Sequence, residues 1–181
     1  RQIIINDIQK IIDLYSDQGY AFVDVNPITK DFLDTISVDI NISLNKKVYI
    51  NRIVISGNTR TQDEVIRREI GIAEGGLYSR TTIKNSILKL RRLGYFSDVQ
   101  MSISEINGVK DKLDLFFEVE ETKTGSLSFS ISHSNNYGIA IGTGIKEKNI
   151  FGTGNTLNAD FKIADSYKRA SFYFENPFFN E

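Results

Sequence analysis

The spacing of apolar positions changes along the chain, and each spacing predicts a different element. Ile4, Ile8, Ile11, Ile12 and Tyr15 fall on one face at helical period, which predicts an amphipathic helix stopped by Gly19. Phe22 to Val25 predicts a short strand that ends before Pro27. Ile36, Val38, Ile40, Ile42 and Leu44 alternate with polar residues, the period of a half-buried strand.

A second unit opens at Val48. Val48 to Ser56 is rich in Val and Ile and predicts a strand, which Gly57-Asn58 breaks. Thr61-Gln62-Asp63-Glu64 has capping-box spacing with Thr61 as the cap, and the short helix behind it carries Val65, Ile66 and Ile70. Gly71 and Gly75-Gly76 interrupt that helix. Ser79 is placed to cap the next one, which presents Ile83, Ile87 and Leu90 before Gly94 ends it. Val99, Met101 and Ile103 alternate, and so do Leu113, Leu115, Phe117 and Val119. Asn107-Gly108 marks a turn between them, in a loop that reads as longer than two residues. The second unit is therefore β-α-α-β-β. The first has the same pattern without its opening strand and helix, and Gly19-Tyr20 and Gly94-Tyr95 occupy equivalent places. An internal repeat follows.

Beyond Glu121 charge thins out, and Gly, Ser and aromatic residues take over. Leu127, Phe129, Ile131 and His133 alternate with serines; Ile139, Ile141 and Ile145 with Gly and Ala; Leu157, Ala159, Phe161 and Ile163 with Asn158, Asp160 and Lys162; Ala170, Phe172 and Phe174 with Arg169, Ser171, Tyr173 and Glu175. Each segment approaches the ~9–11 residues of a tilted membrane strand. Asn135-Asn136, Gly152-Thr153-Gly154-Asn155 and Asp165-Ser166 supply the turns. A soluble sandwich would alternate too, but no second set of strands is left in the chain to cover the apolar face. In a barrel, Leu127, Phe129, Ile131, Ile139, Ile141, Phe161, Phe172 and Phe174 would face lipid, and Ser126, Ser128, Ser130, Gly142, Asp160, Lys162 and Tyr173 the lumen.

Composition narrows the function. The 181 residues are 40% hydrophobic and 25% charged, with a net charge of -1, so no general attraction to nucleic acid is expected. Cysteine is absent, which removes disulfides and Cys-ligated metals. No apolar run approaches the ~20 residues of a membrane helix, which leaves strands untouched. Arg1 begins in mid-pattern and reads as a cut end. His133 is the only histidine, near a strand end, without evident partners. Gly142-Thr143-Gly144 and Gly152-Thr153-Gly154 continue into no phosphate-loop motif. Asp111, Asp114, Glu118, Glu120 and Glu121 read as a solvated strand face. No nucleophile–base or metal constellation is present, so neither an enzyme nor a cofactor is expected.

Three stretches carry a resemblance: Val54-Ile55-Ser56-Gly57-Asn58-Thr59-Arg60-Thr61, Arg67-Arg68-Glu69-Ile70, and Leu90-Arg91-Arg92-Leu93-Gly94-Tyr95-Phe96. In this order they resemble the last POTRA repeat of the BamA family. Asn149 to Asn155 and Asn176-Pro177-Phe178-Phe179 resemble periplasmic turn segments early in the barrel of that family. The resemblance implies α+β POTRA repeats (three-stranded sheet, two helices) followed by antiparallel transmembrane β-barrel strands. Residues 1–45 would be the C-terminal part of the penultimate repeat, 46–122 the final repeat and 123–181 the first strands of an incomplete barrel. It further implies a non-enzymatic assembly and insertion factor of the bacterial outer membrane with its repeats in the periplasm. The implied partners are accessory outer-membrane lipoproteins, unfolded outer-membrane protein clients, periplasmic chaperones and outer-membrane lipid. TamA-like factors and two-partner secretion transporters share this architecture, and a soluble peptide-binding module is the alternative of another class.

Candidate interaction sites follow. Glu74 lies in the glycine-broken connection, either as an ordinary loop residue or as a partner-docking carboxylate, with Arg67 and Arg68 nearby in sequence. In the POTRA arrangement the strand Phe96, Ser97, Asp98, Val99, Gln100, Met101, Ser102, Ile103 lies at a sheet edge that a client strand can join by main-chain bonds. Gly125, Ser126, Leu127, Ser128, Phe129 and Ser130 would form the barrel seam. Residues 46–122 contain a complete unit and are expected to unfold cooperatively when expressed alone; a non-cooperative thermal trace would overturn that boundary.

Overall fold

The computed structural model describes residues 2–32, 35–135 and 138–177. Two compact units make up the chain. One holds Arg1–Ser56, Ile70–Lys89 and Gln100–Glu118, the other Gly57–Glu69, Leu90–Val99 and Val119–Glu181.

The first helix, α1 (Gln2–Ser16), is followed by an antiparallel pair, β1 (Val23–Phe32) and β2 (Thr35–Leu44). Here the structure differs from the sequence expectation. β1 does not stop before Pro27 but runs through it, with Pro27 opposite Ile40. Proline lacks a backbone donor, and a strand with a single neighbour has one side on which none is needed; β1 pairs only with β2 among the described residues.

The second unit of sequence folds as β3 (Tyr49–Ser56), α2 (Asp63–Glu69), α3 (Arg80–Leu93), β4 (Phe96–Ile106) and β5 (Val109–Glu121). The sheet order is β3-β5-β4. β3 and β5 are parallel, with Ile50 opposite Leu113, Ile53 opposite Leu115 and Ile55 opposite Phe117. A parallel pair needs a long crossover, and α2, α3 and β4 supply it. Leu113, Leu115, Phe117 and Val119 are all buried, as their alternation requires. On α3 the buried positions are Ile83, Ser86 and Leu90, while Ile87 is half-buried. Ser86 is tolerated there because its hydroxyl donates to Thr82 O (2.8 Å) and accepts from Gly71 N (3.0 Å). Ser79 caps α3 as expected, its Oγ accepting from Thr82 N at 3.2 Å, and Asp17 accepts from Thr81 N at 2.9 Å.

Two local expectations are corrected. The β4–β5 connection is only Asn107-Gly108, two residues, with Gly108 at φ 82°. Thr61 does not cap α2: the helix begins at Asp63, Val65 N bonds to Gln62 O (3.1 Å), and the Thr61 side chain accepts from Asn149 instead.

The chain ends in a four-stranded antiparallel sheet, β6 (Gly125–Ser134), β7 (Gly138–Ile150), β8 (Asn155–Ala164) and β9 (Tyr167–Glu175), in sequence order. The strands number 10, 13, 10 and 9 residues. Asn136 of the expected first turn lies outside the described residues.

Phe117 is wholly buried on β5. Phe117→Ala in residues 46–122 is expected to cost ~3–5 kcal/mol, because the cavity closes only in part; the midpoint of urea unfolding measures it.

Candidate functional site

Three features are built from these elements. The first is the pair of edges of the β3-β5-β4 sheet. The outer side of β3 is occupied. Ile50 N donates to Gly76 O (2.8 Å), Gly75 N to Ile50 O (2.7 Å) and Tyr78 N to Val48 O (2.9 Å), and Tyr49 bridges Leu77. Glu74 extends the cover, its Oε1 accepting from Ile53 N at 2.9 Å. Glu74 is therefore exposed yet engaged, and it serves the edge of β3. β4 is the other edge, with only β5 beside it among the described residues. Of the sequence-selected positions on β4, Phe96 and Val99 are buried, Asp98 and Met101 are half-buried, and Ser97, Gln100, Ser102 and Ile103 are exposed.

The second feature was not foreseen. Glu121 ends β5 with a side chain only 7% exposed, unlike the solvated carboxylates expected of its cluster. Its oxygens accept from three successive backbone N–H groups: Thr59 (3.2 Å), Arg60 (3.0 Å) and Thr61 (2.6 Å). The Thr59 hydroxyl donates as well, at 2.7 Å. Burial alone would raise the Glu121 pKa, but the hydrogen bonds from Thr61, Thr59 and Arg60 outweigh it and hold the pKa down at about 2. Gly57, where the same loop begins, has φ 88°, and a Cβ there would lie 1.9 Å from Val119 O, so only glycine fits.

This loop grips the turn between β7 and β8. Asn149 uses both ends of its amide: Nδ2 donates to Thr61 Oγ1 (2.9 Å), and Oδ1 accepts from Gly154 N (2.8 Å). Gln62 N donates to Gly152 O (2.9 Å). Gly152, at φ 74°, sits where a Cβ would come 1.9 Å from Arg60 O. Tyr95 OH donates to Gly154 O (3.2 Å). Burial, then Glu69, Glu147 and Glu175, raise the Tyr95 pKa, so the phenol keeps its proton. Asn149 and Gly154 belong to a turn the sequence marked, but nothing in local spacing announced its partners.

The third feature is the face pattern of the four-stranded sheet. Directly opposed residues share a face. Leu127 lies opposite Ile145, Ile131 opposite Ile141, Ile141 opposite Ile163, Phe161 opposite Ala170, Ala159 opposite Phe172 and Leu157 opposite Phe174. Phe129, Ile139 and Phe161 continue this face, which is exposed; Phe129 and Ile131 are 78% and 80% exposed. The other face carries Ser126, Ser128 and Ser130 opposite Lys146, Gly144 and Gly142. Next come Asp160 opposite Gly144, Lys162 opposite Gly142 and Tyr173 opposite Asn158. Gly125 to Ser130 lie on β6, an edge of this sheet among the described residues.

Arg67 and Arg68 lie on α2 and pair with Asp63 and Glu64 one turn earlier, as surface helix pairs do. His133 shares the apolar face, opposite Ile139. No cluster among the described residues would hold a metal ion.

Because the folded Glu121 pKa lies below its ordinary 4.5, the carboxylate stabilises the fold fully above pH 4.5 and loses that contribution as pH falls toward 2. Glu121→Gln in residues 46–122 is expected to cost about 2–3 kcal/mol at pH 7 and to remove this acid-dependent part. Urea unfolding at a series of pH values checks both; equal losses for the two proteins between pH 4.5 and 2 would contradict it.

Comparison with known proteins places the chain. The outer membrane protein assembly factor BamA of Nitratidesulfovibrio vulgaris is 34% identical over 179 residues, 97% of this chain and 22% of the relative. The protein of the same name from Neisseria meningitidis serogroup B is 32% identical over 163 residues, 89% of this chain and 20% of the relative. The chain thus spans about a fifth of the length of these curated relatives. In fold it is similar to the crystal structure of BamA from Haemophilus ducreyi lacking POTRA domains 1–3, with a TM-score of 0.91 and 23% identity, over 99% of this chain and 34% of that one. The model of the POTRA family, described as surface antigen variable number repeat, matches residues 1–46 and 48–122. The chain belongs to the POTRA family.

Proposed function

We propose that this chain is the junction of an outer-membrane protein assembly factor, at which POTRA repeats in the periplasm pass into the first strands of a transmembrane β-barrel. The single observation that carries the reading is the exposed apolar face kept in register across β6 to β9, with Ser, Gly and charged residues on the other side. Such a face must meet an apolar partner, and strands of 9 to 13 residues suit a bilayer. Lys162 at mid-membrane on the lipid face would cost ~2–4 kcal/mol, whereas a lumen keeps it hydrated. The naming of the bacterial relatives as assembly factors supports the same reading.

In this function no bond of a client is made or broken. The β4 edge receives an unfolded client strand through main-chain hydrogen bonds, with little demand on its sequence. The occupied edge of β3 supports that choice, since among the described residues the side of β4 is then left for a guest. β6 forms the barrel seam, its serine face packing little against neighbours. Glu74 in one unit, and Arg67 and Arg68 in the other, are each offered to accessory lipoproteins, and periplasmic chaperones deliver the clients.

Single cysteines placed along Gly125–Ser134 in the full-length protein in membranes test the barrel. Positions 127, 129 and 131 are expected to react with lipid-soluble thiol reagents and 126, 128 and 130 with water-soluble ones. Water access at every position would sink the assignment.

A further inference from the structure

Phe151 stands out on two counts. It is the one described residue other than glycine with positive φ, at 52°, and its ring is 88% exposed. Left-handed backbone is unfavourable for a bulky side chain, and water is a poor surrounding for a phenyl ring. The conformation is imposed by its neighbours. Gly152 N bonds to Asn149 O (3.1 Å), Thr153 N to Ile150 O (3.1 Å), and Gly152 O accepts from Gln62 N. The clamped turn thus holds an aromatic ring outward, and an outlier of this kind points toward a contact.

The ring borders an open cleft lined by Arg60, Thr124, Glu147, Asn149, Ile150 and Gly152. Its position in the sheet is informative. Glu147 lies opposite Gly125 and Leu157, so it continues the row Ile141, Thr143, Ile145 on the apolar face. The carboxylate therefore ends that row, one side-chain step beyond Leu127 and Ile145, or roughly 7 Å along the strand. Its Oε1 accepts from Asn149 N at 2.9 Å, which orients the group. Arg60 donates through Nη2 to Thr122 O and pairs through Nε with Glu121 Oε2 at 3.7 Å, while its side chain remains 58% exposed. The cleft thus combines an oriented carboxylate, an accessible guanidinium and a fixed aromatic ring, at the level where an apolar face gives way to water.

We infer that the Arg60–Glu147–Phe151 cleft binds the headgroup of a zwitterionic phospholipid with a primary ammonium, in the leaflet nearest the POTRA repeats. The inference rests on the barrel reading. The exposed part of the guanidinium donates to the phosphate with the N–H groups that Thr122 O and Glu121 leave. Glu147 accepts N–H bonds from the ammonium. A quaternary choline has no N–H to give, and an anionic headgroup brings the carboxylate no ammonium of its own. Phe151 rests at the boundary of headgroup and acyl chain, where aromatic side chains settle.

The test uses the full-length protein reconstituted in vesicles of equal parts phosphatidylethanolamine, phosphatidylcholine and phosphatidylglycerol with matched acyl chains. After extraction, native mass spectrometry reads the lipid retained. The wild type is expected to retain phosphatidylethanolamine in several-fold excess. Glu147→Gln, which keeps the acceptor for Asn149 N, and Phe151→Gly, which relieves the backbone, should each bring the three lipids to parity. Lys168→Gln, at the far end of the sheet, should leave the excess intact. Flotation with the vesicles separates the two readings. Flotation without a headgroup preference, or with a preference that both variants keep, overturns the cleft and leaves the barrel standing. A wild type that fails to float overturns both.

Discussion

A carboxylate out of water must find donors or give up its charge, and Glu121 finds them in the backbone of a loop distant in sequence. Three successive N–H groups converge on its two oxygens. The loop thereby acquires a defined shape, and that shape presents Thr61 Oγ1 to Asn149 and leaves Gln62 N to Gly152 O. The turn between β7 and β8 is placed by these bonds, with Tyr95 reaching Gly154 from a third segment. Bonds in such a network polarise one another, and a missing member leaves buried groups unpaired. The cost of replacing Glu121 therefore extends beyond its own contacts.

Sheet edges are the second constraint. Backbone groups at an edge require partners, and the two edges of the β3-β5-β4 sheet are treated differently. The segment Gly75–Tyr78 and the Glu74 carboxylate occupy β3, whereas β4 has a partner on one side only among the described residues. Covering one edge limits further strand pairing on this sheet to the side of β4 among the described residues. This asymmetry gives Glu74 a structural task, because a charge reversal there removes the acceptor for Ile53 N before it alters any docking surface.

The four-stranded sheet extends the same logic to solvent. Its register keeps the apolar residues of all four strands on one face, and small residues on the opposite face let neighbouring strands carry Lys162 and Asp160 there. At Gly142 and Gly144 a Cβ would come within 2.6 Å of Ser130 Oγ and 2.3 Å of Asp160 Oδ1. The glycines thus make room for polar side chains, and the polarity of one face is bought by their small size.

The sequence alone determined the helices, the strands after β1, the β-α-α-β-β order and the two faces of β6 to β9. These follow from periods of 3.6 and 2 that are set within a few neighbouring residues. Ser79 as a cap was legible for the same reason, since its acceptor and donor lie three residues apart. Tertiary structure decided what local spacing leaves open. Thr61 had the right spacing to cap α2, but the approach of Asn149, 88 residues away, gave its hydroxyl another partner. Glu121 looked like one more solvated carboxylate until Thr61, 60 residues away, came within reach. Pro27 stayed in a strand because β1 lacks a second neighbour among the described residues, a property of the sheet and not of the residue. A hydrogen-bonding side chain states what it can donate or accept; only the folded chain, by bringing distant segments together and excluding water from some of them, chooses the partner.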